Sequence, residues 1–222
     1  MSSNLKTFGY YLSKKETKAK IFIAVLYVLG VFGALVPSLF SLFIKIVPFA
    51  LILSFLLLFT FHTDIKSKKS ILAFLFIYLL SFTIEVIGTN TGLIFGDYFY
   101  GNRLGIKLFN IPLIMGLNWL MLVYVTSSVF ERFTIHNLSK IVLSSSLMLV
   151  YDIILEKVAP RLELWHFKDG LVPLQNYLAW FAVSLILHSL IKSFKVNTEN
   201  KLALILFICQ FSFFLILSIF LK

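Results

Sequence analysis

The chain has 222 residues, 59% of them apolar and only 14% charged, with a mean hydropathy of +0.95. A globular domain carries about 45–50% apolar and about 25% charged residues, so the composition excludes a disordered tail, a disulfide scaffold and most soluble enzymes. The formal charge of +10 fits either a nucleic-acid footprint or basic loops arranged by the positive-inside rule, and the placement of the charges decides between them.

In chain order, apolar stretches at 21–36, 46–61, 71–88, 111–130, 141–155, 172–191 and 202–221 each approach the length that a bilayer core of about 30 Å demands. Helices are the expected form, because lipid offers unpaired backbone groups no partner. The fold class is therefore all-α: a polytopic bundle of about seven transmembrane helices. The first stretch follows a Lys-rich N-terminus, as a signal peptide would. No small-residue cleavage pattern comes after it, so it reads as a retained helix.

With the N-terminus in the cytoplasm, thirteen Lys and Arg fall on the inner side, Lys6, Lys14 and Lys66 among them. Seven fall outside: Lys45, Arg103, Lys107, Lys157, Arg161, Lys168 and Lys222. That bias predicts an N-in, C-out protein of the cytoplasmic (inner) membrane. Nucleic acid is excluded as a partner, since it would need these charges on one folded face. The single cysteine, Cys209, lies in the last stretch, so no internal disulfide forms. No repeat or long linker divides the chain, and residues 1–222 are expected to form one transmembrane domain.

The acidic residues gather unevenly. Glu85, Asp97, Asp152, Glu156, Glu163 and Asp169 all fall at the outer ends of spans three and five or in the outer loops. Ionisable groups at membrane depth are costly and usually face a cavity or a partner. Glu85 shares a helix face with Ser81 and Thr89 by its spacing; the plain alternative is a carboxylate snorkelling to the outer interface, with Arg103 as a partner there. Asp152 has Glu156 one turn later, and its plain alternative is an ion pair with Arg161. Between the third and fourth spans, residues 88–110 hold five of the ten glycines, together with Asn90, Asp97, Tyr98, Tyr100 and several Phe. This segment is too polar to span and too apolar for a plain loop, which predicts a re-entrant or interfacial piece of chain.

Asn118 and Trp119 stand at mid-height in the fourth span, either as site groups or as glue between helices. In the sixth span Asn176, Trp180, Ser184 and His188 recur every four residues. Trp165 and Trp180 read equally as interfacial anchors or pocket walls. The four histidines are scattered, no metal-ligand spacing appears, and no cofactor is expected. What remains is a site of carboxylates, amides and aromatics near the outer leaflet, suited to a long apolar substrate dissolved in the lipid bilayer.

Two blocks carry a family resemblance. Glu85-Val-Ile-Gly-Thr-Asn-Thr-Gly92, Phe95-Gly96-Asp97-Tyr98, Tyr100, Leu104-Gly105, Ile111-Pro112 and Trp119 make the first. Asp152-Ile-Ile-Leu155, Trp165, Pro173-Leu174, Asn176-Tyr177 and Trp180-Phe181 make the second. Together they resemble the membrane carotenoid-biosynthesis family, whose characterised members hydrate carotenoid end groups (the 1′,2′-hydratases and the bisanhydrobacterioruberin hydratase). The chain departs from that pattern at Glu156-Lys157, where the family tends to have Asp-Pro, and at Ala179, where it tends to have Gly.

The resemblance implies a carotenoid hydratase, a cofactor-free hydro-lyase that adds water to a terminal C=C of an acyclic or monocyclic carotenoid. A carboxylic acid protonates the alkene, aromatic faces steady the tertiary cation, and water gives the alcohol. On that footing Glu85 and Asp152 are the acid/base pair and Asp97 joins them, helping Asn176 position water. Asn90, Tyr98, Asn118, Trp119, Trp165, Asn176 and Trp180 bind substrate. The partners implied are a membrane-dissolved carotenoid and other enzymes of the pathway. Two other classes stay open: an isoprenoid cyclase that protonates an alkene and excludes water, and a non-enzymatic lipid or small-solute binder or carrier.

Overall fold

Val36 is the only residue between the first two helices. Pro37, which lacks an N–H and has its φ preset for a helix, starts the second. In this computed structural model residues 2–64 and 67–221 are described, with side chains from residue 15 onward. Lys66, Lys222 and the side chains of Lys6 and Lys14, which enter the charge count, lie outside the described residues.

Among the described residues, seven helices are long and apolar enough to cross a membrane. They are α1 (Ser2–Leu35), α2 (Pro37–Thr60), α3 (Lys68–Thr91), α4 (Ile114–Glu131), α5 (Asn137–Glu156), α6 (Leu174–Ser193) and α7 (Ala203–Phe220). The chain is a polytopic all-α membrane protein. The second span begins nine residues before the expected 46, so Lys45 is not in a loop. It is exposed on the flank of α2, where its long aliphatic stem can lie along apolar surface while the ammonium reaches away.

Four short strands pair in twos. β1 (Tyr98–Tyr100) runs antiparallel to β4 (Trp165–Phe167), and β2 (Lys107–Leu108) to β3 (Ile111–Pro112). The Gly-rich segment thus forms turns and ribbons across one end of the bundle, joined there by the loop between α5 and α6. It is two-faced: Phe95, Tyr98, Tyr100 and Leu104 are buried, whereas Leu93, Phe99, Ile106 and Phe109 are exposed. α3 stops at Gly92, whose left-handed φ of 70° is cheap only for glycine. Gly101 passes so close to the Glu163 carbonyl that a Cβ would overlap it.

α4 is the hub. It packs against α2, α3, α5, α6 and α7, and Leu122, Val123, Tyr124 and Val125 are fully enclosed. A helix apolar on every side belongs in the middle of a bundle. Polar side chains key its neighbours to it. Thr126 Oγ1 meets His188 Nε2 at 2.9 Å, and Ser145 Oγ meets His188 Nδ1 at 3.2 Å. At the Lys-rich end, Lys192 and Thr198 hydrogen-bond Glu131, while Lys140 stands 3.5 Å away, tying α4, α5 and α6.

Candidate active site

Glu85 lies on the last two turns of α3 and is 3% exposed. Its Oε2 accepts from Tyr98 Oη at 2.5 Å and Tyr100 Oη at 2.7 Å, and its Oε1 from Trp119 Nε1 at 2.7 Å. Both tyrosines come from β1. Strand residues alternate faces, so Tyr98 and Tyr100 turn inward while Phe99 stacks on His166 outside. Burial first, and the Glu85 carboxyl second, hold both phenols protonated well above the usual tyrosine range. They therefore remain donors at any physiological pH. Hydrogen bonds to a carboxylate of this kind contribute about 1.5–3 kcal/mol each.

The second half comes from α5 and α6. Asp152 and Glu156 stand one turn apart on α5 and are 0% and 4% exposed. Asn176 Nδ2 bridges them, at 3.3 Å from Asp152 Oδ2 and 3.1 Å from Glu156 Oε1. Trp165 Nε1, on β4, donates to Glu156 Oε2 at 2.9 Å. Asp152 Oδ1 is buried without a hydrogen-bond partner. Pairing β1 with β4 brings the two halves together: Tyr100 packs edge-on to Trp165 at 5.9 Å. Trp119 stacks on Trp180 at 4.2 Å, linking α4 to α6 beneath the ribbon.

Glu85, Glu156, Tyr98, Tyr100, Trp165, Asn176 and Trp180 line one small cavity. Met115 and Trp165 also line a second, much larger cavity of about 340 Å³, within the size range of small-molecule pockets. Its other walls come from α1, α2, α5 and α7 and are almost wholly apolar, with Phe43, Leu155 and Phe213 among them. Exposed Leu29, Phe32, Leu39 and Leu42 form its flank toward lipid. Asn118 faces this cavity.

Neither of the plain alternatives for the carboxyls is present. Arg103 pairs with Glu163 at 2.7 Å, and Arg161 donates to the Leu221 carbonyl. Among the described residues, no Lys or Arg forms an ion pair with Glu85, Asp152 or Glu156. None of the described His, Cys, Asp and Glu residues forms a metal-holding group of three or more.

Asp152 and Trp119 are fully buried and line neither cavity, and two further candidates stand apart at the surface. Asp97 is 60% exposed and pairs with Lys168 at 3.1 Å on the surface. Asn90 is exposed too, donating to the Val86 and Phe109 carbonyls and pinning the end of α3 to the β2–β3 turn. The side chains of both point away from the ribbon's buried face. Sequence reasoning passed over Tyr100 and Glu156 as site residues. The two-residue spacing from Tyr98 and the four-residue spacing from Asp152 were the available signals.

No curated protein and no solved structure matches the chain. The family model described as carotenoid biosynthesis protein matches residues 45–222, a span that includes every residue of the carboxyl cluster and excludes only α1 and the first turns of α2. The chain belongs to the carotenoid biosynthesis protein family.

Proposed function

We propose that this protein is a carotenoid hydratase that adds water to a terminal C=C of an acyclic or monocyclic carotenoid without a cofactor. The observation that carries this reading is a cluster of three carboxyls with no basic ion-pair partner among the described residues, beside a small cavity that shares the walls Met115 and Trp165 with a large apolar cavity at the lipid flank. An apolar chain enters from the bilayer, and its end group reaches the carboxyls. One carboxyl of the Asp152–Glu156 pair gives its proton to the less substituted alkene carbon, with the O–H electrons staying on oxygen. The tertiary cation that forms lies against Trp165 and Trp180, whose ring quadrupoles stabilise positive charge. Glu85, held as an acceptor by three donors, supplies the opposing negative charge. Water adds to the cation, and the proton it sheds restores the acid. No electron is lost or gained, so no redox partner enters.

Within the pair, Glu156 faces the small cavity, while Asp152 is buried one turn away, bridged to it through Asn176 and with Oδ1 lacking a partner. With the N-terminus inside, the reaction takes place toward the outer leaflet of the cytoplasmic membrane. Expression of the full chain in a colourless host that makes lycopene tests the reading. A product heavier by one water is expected. An isomer of unchanged mass would mean cyclisation, and unchanged pigment across acyclic and monocyclic carotenoids would overturn an enzymatic reading.

A further inference from the structure

α1 is the least enclosed helix of the bundle. Only 11% of its most apolar stretch is buried, against 72% for α4, and it packs on α2 and α7. One face of it nevertheless has a definite place: Leu26, Tyr27, Gly30 and Gly33 line the larger cavity. The two glycines let α1 lie close to its neighbours. A Cβ on Gly30 would stand 3.2 Å from the Phe213 ring, and one on Gly33 would stand 3.0 Å from the Phe43 Cβ. Both phenylalanines line the same cavity, so a larger side chain at either glycine crowds that space.

The rings form a row. Phe43 lies 6.1 Å from Phe213, Phe213 5.0 Å from Phe214, and Phe214 5.6 Å from Tyr151, with Tyr27 6.0 Å from Phe213. All five line the cavity. The row runs from α2, whose Leu39 and Leu42 are exposed toward lipid, to the residue beside Asp152 on α5. Aromatic faces and edges suit a flat conjugated chain. A rigid polyene also loses less freedom on binding than a saturated acyl chain does. Membership of the carotenoid biosynthesis family points to the same occupant.

We propose that α1 is a specificity element: it is the wall against which the hydrocarbon tail of an isoprenoid polyene lies, with Gly30 and Gly33 setting the room for that tail. The proposal rests on the hydration reading for its carotenoid substrate, and not for how the end group reacts. Every carboxyl of the cluster lies within the family-matched residues 45–222, whereas α1 lies outside them. Chemistry and tail recognition thus belong to different parts of the chain. The matched part treats the end group, and α1 selects among the chains that carry it.

The test uses the full chain in lipid nanodiscs, with polyene binding read by quenching of tryptophan fluorescence, since Trp165 lines the cavity. Gly30→Leu is expected to raise the polyene Kd, and KM in step, about tenfold to a hundredfold, with kcat kept within about twofold. Gly30→Ala should give a smaller shift in the same direction. Val28→Phe changes an exposed α1 residue that does not line the cavity, and should alter neither constant. Thermal melts identify any variant that fails to fold. A second measurement needs no variant: wild-type protein is irradiated with a polyene carrying a diazirine on its tail, or with a diazirine phospholipid. Polyene label on residues 26–33, chased by unlabelled polyene and not by excess phospholipid, supports the wall. No polyene label there, or phospholipid label that polyene does not displace, would overturn it. So would an unchanged Kd in folded Gly30→Leu, or an equal loss in Val28→Phe. Polyene bound and labelling α1 without any alcohol formed would overturn the hydration reading alone, with the wall standing.

Discussion

Glu131 and Glu85 sit near opposite ends of the bundle and are handled in opposite ways. Glu131, at the Lys-rich end, is met by Lys192 and Lys140, so its charge is matched and it fastens three helices. Glu85, under the ribbon, is met by two phenols and an indole, which satisfy its oxygens without cancelling a charge. A carboxylate matched by ammonium groups is a strut. On the hydration reading, one held only by neutral donors would, when ionised, keep an uncompensated field of the kind a cationic transition state needs.

The sharpest way to break this contrast is to neutralise carboxyls at both ends. Glu156→Gln or Asp152→Asn should cut water addition by about 10²–10⁴-fold, the usual worth of a general acid. Glu131→Gln should leave the rate within about twofold and lower stability by about 1–3 kcal/mol, because both lysines it matches are largely buried. Product ratios and thermal melts of the same preparations decide; equal rate losses at both ends would abolish the distinction. Next in size is Tyr98→Phe, which takes one donor from Glu85. A rate loss of about tenfold to a hundredfold is expected, with polyene binding kept, and a loss of binding alone would move Tyr98 from chemistry to shape.

A smaller effect separates the ends by pH. His62, beyond α2 at the Lys-rich end, is buried against Phe59, Phe74 and Tyr124, and burial pulls its pKa below the usual 6.5 despite nearby Asp64. The unfolded chain therefore binds this proton more readily than the folded one. The stability held here is complete above about pH 6.5 and is lost as pH falls through the folded value, by at most about 1.4 kcal/mol per pH unit. Melting temperature against pH should flatten below 6.5 in His62→Gln; an unchanged slope would assign the acid sensitivity elsewhere. Smallest of all, Asp97→Asn breaks only a surface pair with Lys168. Water addition should stay within about twofold.

Seven spans were legible because lipid-facing and core-facing sides are both apolar, so each helix announces itself by length. The same uniformity hid which helix is central. It also hid the start of α2, where Lys45 looks like a loop residue until the helix is seen to begin at Pro37. Glu85, Asp152, Trp119, Trp165, Asn176 and Trp180 were legible as costly or amphipathic groups at membrane depth. Asp97 and Asn90 were not separable from Tyr98, since all sit in one Gly-rich run whose side-chain directions depend on the ribbon. Gln210 and Tyr27 were silent, isolated polar residues in apolar stretches that both line a cavity walled by five helices.

The β1–β4 ribbon has only three residues on each strand, yet it works as an address. Tyr98 and Tyr100 reach Glu85, and Trp165 reaches Glu156, because the register Tyr98↔Phe167 and Tyr100↔Trp165 turns those side chains to the same face. Side chains on a strand alternate, so a slip of one residue in β1 would aim Phe99 at the carboxyls and turn both phenols outward. One residue inserted ahead of β1 would therefore turn away two donors, Tyr98 and Tyr100, and one inserted ahead of β4 would turn away Trp165. The loops of this bundle should tolerate changes of sequence far better than changes of length.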